Sequence, residues 1–243
     1  MRRLFYKGKL ADTIAITGSD AHHLMHVMRA KAGQEIVVVD DNGKVARMEM
    51  TDFCETSVTL RLVEMLAADT ESPIEIVLVQ ALLKADKMDL VVQKAVELGA
   101  TKVVPLVTAN CVVRYDNKKA AAKCVRWQKI ADEAAKQCGR TALLKIAEVT
   151  TLKELLTGLA QEQTIIFCYE NESTQSIKTV LKENTADKIL LVIGPEGGFS
   201  LDEAEGLINA GAKSVTLGKR ILRAETAAVA AITIAQYENG DLN

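Results

Sequence analysis

Over the first seventy residues, short runs of alternating hydrophobic and polar residues predict β-strands. Two such runs are residues 35–40 and 58–63. The segment Asp40-Asp41-Asn42-Gly43 has the composition of a hairpin turn. One helix is predicted over residues 19–32, with Ser19 or Asp20 as its cap and Gly33 as its stop. The pattern therefore predicts a small β-barrel that carries a single helix.

After Ser72-Pro73, continuous hydrophobic runs alternate with segments in which hydrophobic residues recur every three to four positions, as in amphipathic helices. Such runs are typical of strands that are buried on both faces of a parallel sheet. A helix over residues 86–98, capped by Asp86 and ended by Gly99, joins the first two strands. The predicted strands are residues 74–83, 102–107, 164–169, 189–193 and 214–217. The sequence thus predicts an α/β fold with two domains, residues 1–72 and 73–243.

The longest predicted helix, residues 118–138, has two contrasting faces. Its apolar face carries Trp127, Ile130, Ala131, Ala134 and Cys138. Its opposite face carries Lys118, Lys129 and Lys136. We therefore expect Trp127 to pack in the core and the lysines to face solvent or a polyanion.

Composition narrows the class of protein without identifying it. The chain has 243 residues, of which 49% are hydrophobic and 26% charged, as in soluble globular proteins. No apolar run approaches the roughly 18 residues of a membrane span, and no signal-like stretch follows the first residues. The five cysteines are scattered without a C-x-x-C pair, which indicates neither disulfides nor zinc. We expect buried cysteines, a cytoplasmic location, no membrane contact and no metal.

Charge is distributed unevenly along the chain. The formal net charge of −2 is not that of a general nucleic-acid binder. However, residues 1–9 contain four basic residues and no acid, and residues 114–145 contain nine basic residues against three acids. These two stretches are candidates for phosphate contact, although a basic run is also typical of a solvated helix face.

Two glycine-rich segments follow predicted strands and precede predicted helices: residues 193–200 (IGPEGGFS) and 217–226 (LGKRILRAET). Ligands of α/β proteins bind at such junctions, because glycine admits close approach and helix N-termini offer unpaired N–H groups. Neither segment matches the dinucleotide or phosphate-loop pattern. Ser200 and Glu203 form a predicted capping box that fixes the helix after the first segment. The pair therefore predicts one cofactor cleft.

The chain resembles the RsmE family, the 16S rRNA uridine-N3 methyltransferases of the knotted SPOUT superfamily. The resemblance is carried by LLVIGPEGGFS (190–200) and LGKRILRAETAAVAAI (217–232), together with residues 1–5, 22–29, 87–99 and 133–140. It implies a C-terminal SPOUT methyltransferase domain with a trefoil knot and a parallel sheet. It also implies an N-terminal PUA-like RNA-binding β-barrel, S-adenosylmethionine as cofactor and a homodimer. The substrate would be 16S rRNA in the assembled or assembling small ribosomal subunit.

The resemblance assigns roles to particular residues. Those expected to hold S-adenosylmethionine are Ile193, Gly194, Gly197, Leu217, Gly218 and Leu222, with Tyr169 and Glu170 as weaker candidates. Loss of the uridine N3 proton spreads charge onto O2 and O4, which a nearby cation would stabilise. We predict Arg223 as that cation, and Glu196 and Glu225 as orienting groups or proton acceptors. The residues expected to contact RNA are Arg2, Arg3, Lys118, Lys129, Lys136, Arg140, Lys219 and Arg220.

Other interpretations stay open at this point. A non-catalytic ribosome-assembly factor, a ribose 2′-O-methyltransferase and a tRNA methyltransferase are compatible with much of the pattern, whereas a nucleotide hydrolase lacks its phosphate loop. His22 and His26 have a spacing that can bind zinc, but no third ligand is near in sequence. The chain departs from the family at Ala109-Asn110, where Glu-Arg is usual, and in lacking a proline after Arg140. We expect these departures to affect RNA contact or dimer detail first.

Overall fold

The fold is described from a computed structural model, which covers residues 3–68, 70–159, 163–184 and 187–242. The chain divides into two compact units. One comprises Met1–Glu71 with Ala135–Ala142, and the other comprises Ser72–Ala134 with Leu143–Asn243. The functional domain limits 1–72 and 73–243 stay a prediction, since they were drawn from sequence pattern rather than from contacts.

The first unit contains a five-stranded sheet in the order β1-β3-β4-β5-β2. Its strands are β1 (Arg3–Phe5), β2 (Thr13–Thr17), β3 (Glu35–Val39), β4 (Val45–Phe53) and β5 (Ser57–Leu66). Only the β1–β3 pair is parallel among the ladders described. The predicted hairpin turn is confirmed: Gly43 has φ +74°, and its N–H donates to the Asp40 carbonyl at 3.0 Å.

The core of this unit follows from the two-residue period of its strands. In β2, Ile14 and Ile16 are buried, while Ala15 between them and the flanking Thr13 and Thr17 are exposed. They pack with Met48, Met50 and Leu60 from the neighbouring strands. The alternation visible in the sequence is therefore the cause of the buried face.

The helix predicted over residues 19–32 is shorter than expected. It consists of α1 (Gly18–His22) and a π-helical segment (His23–Val27). Neither Ser19 nor Asp20 caps it: the residue at the N-terminal boundary is Thr17, whose side chain makes no capping bond. The chain turns at Arg29, which has φ +50°, so the helix ends before Gly33. The helical period continued in the sequence beyond the point where the backbone left the helix.

Arg140 lies in this unit and differs from its predicted role. Its side chain is 5% exposed, and Nη2 lies 2.5 Å from Glu71 Oε2. Glu71 also accepts the N–H groups of Thr141 and Ala142 at 2.7 and 3.1 Å. Burial opposes ionisation of Glu71, but these bonds and the Arg140 charge outweigh it and hold its pKa below the usual value. A guanidinium buried and paired in this way has a structural role, which makes Arg140 the weakest of the predicted RNA contacts.

The second unit contains a seven-stranded sheet in which every described pair is parallel. The strand order is β12-β10-β11-β6-β7-β8, and β9 pairs with β7. The strands are β6 (Glu75–Ala81), β7 (Lys102–Val107), β8 (Lys145–Ile146), β9 (Thr150–Thr151), β10 (Thr164–Cys168), β11 (Lys188–Ile193) and β12 (Lys213–Val215). The five predicted strands and the parallel sheet are confirmed. The two-residue strands β8 and β9 were not predicted, since so few residues carry no periodicity.

Six helices connect or follow these strands within the described residues. They are α2 (Lys87–Glu97), α3 (Asn117–Cys138), α4 (Leu152–Thr157), α5 (Ile177–Glu183), α6 (Leu201–Asn209) and α7 (Ala224–Asn239). Gly99 ends α2 with φ +81°, as predicted. Asp86 occupies the N-cap position as predicted, but its side chain accepts no capping bond. None of these helices is both long and apolar enough to cross a bilayer.

Helix α3 has the two predicted faces, with one exception. Trp127 is 1% exposed, and its Nε1–H donates to Asp89 Oδ1 at 3.1 Å, so its place in the core is confirmed. Cys138, predicted on the apolar face, is exposed. The expectation of buried cysteines is likewise wrong for Cys54, whereas Cys111 is buried. Residues 135–138, at the end of α3, belong to the first unit.

Candidate active site

A cavity of about 850 Å³ lies at the carboxyl ends of the parallel strands in the second unit. Its walls are the segments that follow β10, β11 and β12, together with the start of α2 and of α7. Because β10 and β11 are adjacent and β12 pairs with β10, the topology brings these loops to one edge of the sheet. All eight residues predicted to bind the cofactor line it: Tyr169, Glu170, Ile193, Gly194, Gly197, Leu217, Gly218 and Leu222.

The glycine-rich loop 194–200 is fixed at both ends. Ser200 and Glu203 form the predicted capping box, in which the Ser200 N–H donates to Glu203 Oε2 at 3.0 Å and the Glu203 N–H donates to Ser200 Oγ at 3.2 Å. Phe199 is buried, and a Cβ on Gly194 would lie 3.1 Å from its ring. Gly198 has φ +68°, a conformation that favours glycine. The backbone of this loop can therefore approach a ligand closely.

The loop 216–223 forms the facing wall of the cavity. The Gly218 N–H donates to Thr216 Oγ1, and the Thr216 hydroxyl donates to the Gly218 carbonyl, each at 3.1 Å. Gly218 has φ +115°, and a Cβ added there would meet no protein atom within 4 Å. Lys219 and Arg220, predicted to contact RNA, also line the cavity. The loop thus combines a glycine open to the cavity with two cations.

Glu172, which the sequence did not identify, organises the third wall. It accepts hydrogen bonds from the Thr174 hydroxyl (2.7 Å), the Gln175 N–H (3.0 Å), the Ser214 hydroxyl (2.7 Å) and the Thr174 N–H (2.8 Å). These bonds lower the pKa of Glu172 to about 2. The ionised carboxylate therefore ties the loop after β10 to strand β12.

Lys87 joins two of the predicted catalytic acids and was missed at the sequence level. Its Nζ lies 3.0 Å from Glu196 Oε1 and 3.4 Å from Glu225 Oε2. The hydrogen bond to Glu196 raises the pKa of Lys87, and the negative charges of Glu196 and Glu225 act in the same direction. Desolvation opposes this rise but does not outweigh it. Burial opposes ionisation of Glu196, but the bonds from Lys87 and from backbone N–H groups prevail and lower its pKa. Because the three residues come from separate segments, no sequence spacing indicates this cluster.

The surroundings of the two carboxylates differ. Glu196 Oε1 also accepts the Lys84 N–H at 3.3 Å, beside Ala85, whose φ is +53°. Glu196 therefore helps to hold a strained turn before α2. The Glu225 side chain is 13% exposed, and among the described residues its buried Oε2 has the Lys87 ammonium, 3.4 Å away, as its polar contact but no closer hydrogen bond. Glu225 does not itself line the cavity but contacts Lys87, which does.

Arg223 occupies the N-cap position of α7 and lines the cavity. It is exposed, and within the described residues no ion pair or side-chain hydrogen bond engages its guanidinium. In contrast, burial raises the pKa of the cavity-lining Cys168 thiol to about 12, so this thiol stays protonated at neutral pH. The cavity thus offers a cation and carboxylates but no thiolate nucleophile.

The remaining predicted RNA-binding residues lie outside the cavity. Lys118 and Lys129 are exposed on α3. Lys136 lies 3.6 Å from Asp20 Oδ1, and the Arg3 guanidinium donates to the Arg140 carbonyl at 3.2 Å. Arg2 falls outside the described residues. Lys118 and Lys129 are therefore accessible to a ligand, whereas Lys136 and Arg3 interact with other residues of the protein.

The histidines give no support to a metal site. The rings of His22 and His26 lie 4.6 Å apart between centroids. Across the described part of the chain, no three His, Cys, Asp or Glu side chains are grouped closely enough to hold a metal ion. Both histidines are exposed, as predicted, whereas contact of this helix with RNA stays a prediction.

Comparison with known proteins assigns the family. A family model described as an RNA methyltransferase domain matches residues 70–236, and one described as an RNA methyltransferase PUA domain matches residues 16–62. Ribosomal RNA small subunit methyltransferase E from Bacillus subtilis is 34% identical over 235 residues, 94% of this chain and 91% of that protein. The chain belongs to the small subunit methyltransferase E family. The predicted family resemblance is confirmed.

Solved structures of relatives agree with this membership. A small subunit methyltransferase E from Neisseria gonorrhoeae, crystallised with S-adenosyl methionine, superposes with a TM-score of 0.89 at 31% identity over the full length of both chains. A putative methyltransferase from Legionella pneumophila, in complex with the same cofactor, gives 0.88 at 29% identity over 99% of this chain and 98% of that one. The α/β fold and the PUA domain predicted from sequence are confirmed at this level.

Proposed function

We propose that this protein transfers a methyl group from S-adenosylmethionine to N3 of a uridine in 16S rRNA. The observation that carries the proposal is the convergence of both glycine-rich loops on one cavity, at the sheet edge where α/β proteins bind ligands. Membership of the small subunit methyltransferase E family supplies the rRNA substrate, and two structural relatives are described with the cofactor bound.

The residues of the cavity fit this cofactor. Gly194, Gly197 and Gly218 present backbone that can approach a ligand closely. Ile193, Leu217 and Leu222 add apolar surface for an adenine ring. We propose that these six residues hold the cofactor, with Tyr169 and Glu170 at the edge. When bound, S-adenosylmethionine supplies a sulfonium-linked methyl group for in-line displacement.

The charged residues fit the chemistry of uridine. The N3–H is weakly acidic, and its loss places negative charge on O2 and O4. We propose that the Arg223 guanidinium, which has no partner within the described part of the chain, stabilises that charge. We propose Glu225 as the better proton acceptor of the two acids, because its Oε2 is engaged among the described residues only by the longer 3.4 Å ion pair with Lys87, whereas Glu196 accepts hydrogen bonds from Lys87 at 3.0 Å and from backbone.

RNA contact is proposed for Lys118, Lys129, Lys219 and Arg220, all of which are exposed. Arg3 and Lys136 are weaker candidates, because both have partners within the protein. Arg2 is kept as a candidate on sequence alone. We further propose that residues 1–72 form the RNA-binding PUA-like domain and residues 73–243 a knotted methyltransferase domain. The setting would be the cytoplasm, where the small subunit assembles.

The function is tested on 30S particles from cells that lack this protein. Incubation with the purified protein and S-adenosylmethionine should produce one 3-methyluridine in 16S rRNA, located by mass spectrometry of nuclease fragments. A methyl group on a ribose 2′-oxygen, or on tRNA instead of 16S rRNA, would contradict the proposal. Absence of cofactor binding in calorimetry would instead favour a non-catalytic assembly factor.

Gly218→Val should weaken S-adenosylmethionine binding at least ~10-fold, because a β-branched residue disfavours φ +115° and its side chain would enter the cavity. Gly211→Val is the matched control. Gly211 also has a positive φ (+86°) and open space around its Cβ position, but it does not line the cavity. Calorimetry should show weakened binding only for Gly218→Val, while thermal melting should show strain in both. Equal cofactor affinity in the two variants would contradict the site.

We propose a homodimer formed through the second unit, with α7 as a contributor. Its residues Val229, Thr233 and Ile234 are half-buried in the single chain, and Tyr237 is 64% exposed, so a partner has apolar surface to cover. Light scattering at micromolar concentration should give about twice the chain mass of 26.4 kDa. A mass of one chain would refute the dimer.

A further inference from the structure

The turn that follows β7, residues 108–111, contacts the glycine-rich loop of the cavity. Thr108 and Cys111 are 2% and 6% exposed and close the turn on itself. The Cys111 N–H donates to the Thr108 carbonyl at 3.2 Å, and the Thr108 N–H donates to Cys111 Sγ at 3.4 Å. The buried ends leave Ala109 and Asn110 exposed at the tip of a well-defined turn.

The Asn110 carboxamide bridges two carbonyls of the glycine-rich loop. Its Nδ2 donates to the Gly197 carbonyl at 3.1 Å and to the Gly198 carbonyl at 3.2 Å. A carboxamide nitrogen carries two N–H donors, so one side chain can serve both acceptors at once. Both glycines line the cavity and Asn110 does not, so Asn110 contacts the outer side of the cavity wall.

Glu203 makes a second link between the same segments. While its Oε2 accepts the Ser200 N–H in the capping box, its Oε1 accepts the Ala109 N–H at 2.7 Å. Ser200 ends the glycine-rich loop and caps α6. One carboxylate therefore fixes both the end of the loop and the tip of the turn.

The glycine pair fits closely between two side chains. A Cβ on Gly197 would lie 3.1 Å from Asn110 Cβ, and one on Gly198 would overlap the Glu170 carboxylate. Glu170 lines the cavity, whereas Asn110 does not. The Gly197–Gly198 backbone is thus held between the turn 108–111 and a residue of the cavity.

We propose that Asn110 is a positioning residue of the cofactor site, which holds the Gly197–Gly198 backbone in the conformation that receives S-adenosylmethionine. This inference rests on the proposed function, since it takes that molecule as the ligand. In this structure Asn110 contacts the cofactor loop. The expectation that the departure at Ala109-Asn110 affects RNA contact or the dimer stays a prediction beside this one.

The test is Asn110→Asp, which keeps the side-chain shape but replaces both donors with an anion facing two carbonyls. Hydrogen exchange of residues 194–200 should become faster in the ligand-free protein. The Kd for S-adenosylmethionine and its KM should rise ~10-fold or more, as expected when two hydrogen bonds are removed. The kcat at saturating cofactor and the affinity for 30S particles should stay within about 2-fold, and Asn110→Ala should show the same pattern more weakly.

Asn184→Ala is the matched control. Asn184 Nδ2 also donates to a backbone carbonyl, that of Val180 at 2.7 Å, but Asn184 does not line the cavity. This control should leave both the exchange of residues 194–200 and the Kd unchanged. Unaltered exchange in both Asn110 variants, or faster exchange with an unaltered Kd, would overturn the proposal. If the wild-type protein bound no S-adenosylmethionine, the proposed function would fail, while ligand-free exchange would still test the link to the loop.

Discussion

Arg223→Ala should lower the rate of methyl transfer ~100-fold or more, the scale expected when a donor that stabilises developing charge is removed. The guanidinium lines the cavity and has no intramolecular partner among the described residues, so its removal should not disturb the fold. Affinities for S-adenosylmethionine and for RNA should stay close to wild type. Single-turnover methylation of 30S particles that lack the modification, with both reactants saturating, measures the step directly.

A contrasting variant separates chemistry from RNA docking. Lys118 and Lys129 are exposed on α3 and lie outside the cavity. Replacing both with glutamine should raise the KM for RNA and reduce the log–log salt slope of binding by about one for each phosphate that is no longer neutralised. Arg223→Lys should keep part of the rate, because it retains the charge. A wild-type rate for Arg223→Ala under saturation would refute its proposed role.

Lys87→Met should lower the methylation rate about 30-fold or more, because it breaks a partly buried ion-pair cluster beside the cavity. The substitution keeps the length of the side chain but removes the cation between Glu196 and Glu225, leaving two partly buried carboxylates without compensation. Because Lys87 joins the start of α2 to the glycine-rich loop and to α7, both the loop and the acids should shift. Single-turnover assays and calorimetry should therefore report a slower step together with weaker cofactor binding.

The pH dependence gives a signature that a general loss of structure would not. In the wild-type protein, bonds from Lys87 and from backbone N–H groups overcome burial and hold the pKa of Glu196 below its usual value. This interaction stabilises the fold at neutral pH and disappears as pH falls through the lowered pKa. Without Lys87, burial is less opposed and the pKa of Glu196 rises. The acid limb of the activity profile should move to higher pH.

Lys84→Met is the control for Lys87. Lys84 is exposed, and it donates to Glu196 through its backbone N–H, which methionine retains. Its rate and pH profile should match those of the wild type. An equal loss of activity in both variants, or an unshifted acid limb in Lys87→Met, would show that the Lys87 cluster does not act as described.

The secondary structure of the second unit could be predicted because local pattern and tertiary burial agree there. Strands β6 and β11 are apolar on nearly every residue, as burial on both faces requires. The prediction was less accurate for residues 19–32, where helical periodicity persists past the turn at Arg29. It also gave Asp86 a capping role that its side chain does not fill. Whether a side chain caps a helix, and where the helix ends, depends on local backbone geometry, which the pattern of residues does not specify.

The part of the candidate site that could be predicted from the sequence is the pair of glycine-rich loops. Gly194, Gly197 and Gly218 follow buried strands, where glycine also serves ordinary turns. The family resemblance is what assigned both loops to one ligand. Lys87 and Glu172 were missed, since a lysine at a helix start and a glutamate in a loop are ordinary in any sequence. Arg140 was assigned to RNA because a basic stretch does not indicate which of its members is buried.

The sequence by itself determined the order of strands and helices, the two glycine-rich loops and the family, because these depend on local periodicity and on motifs contiguous in the chain. Only the tertiary structure decided which charges meet. Lys87 reaches Glu196, 109 residues away in sequence, and Asn110 reaches glycines 87 and 88 residues away. Such pairs form because parallel strands bring distant loops to one edge of the sheet, and the spacing of residues along a chain does not encode that distance.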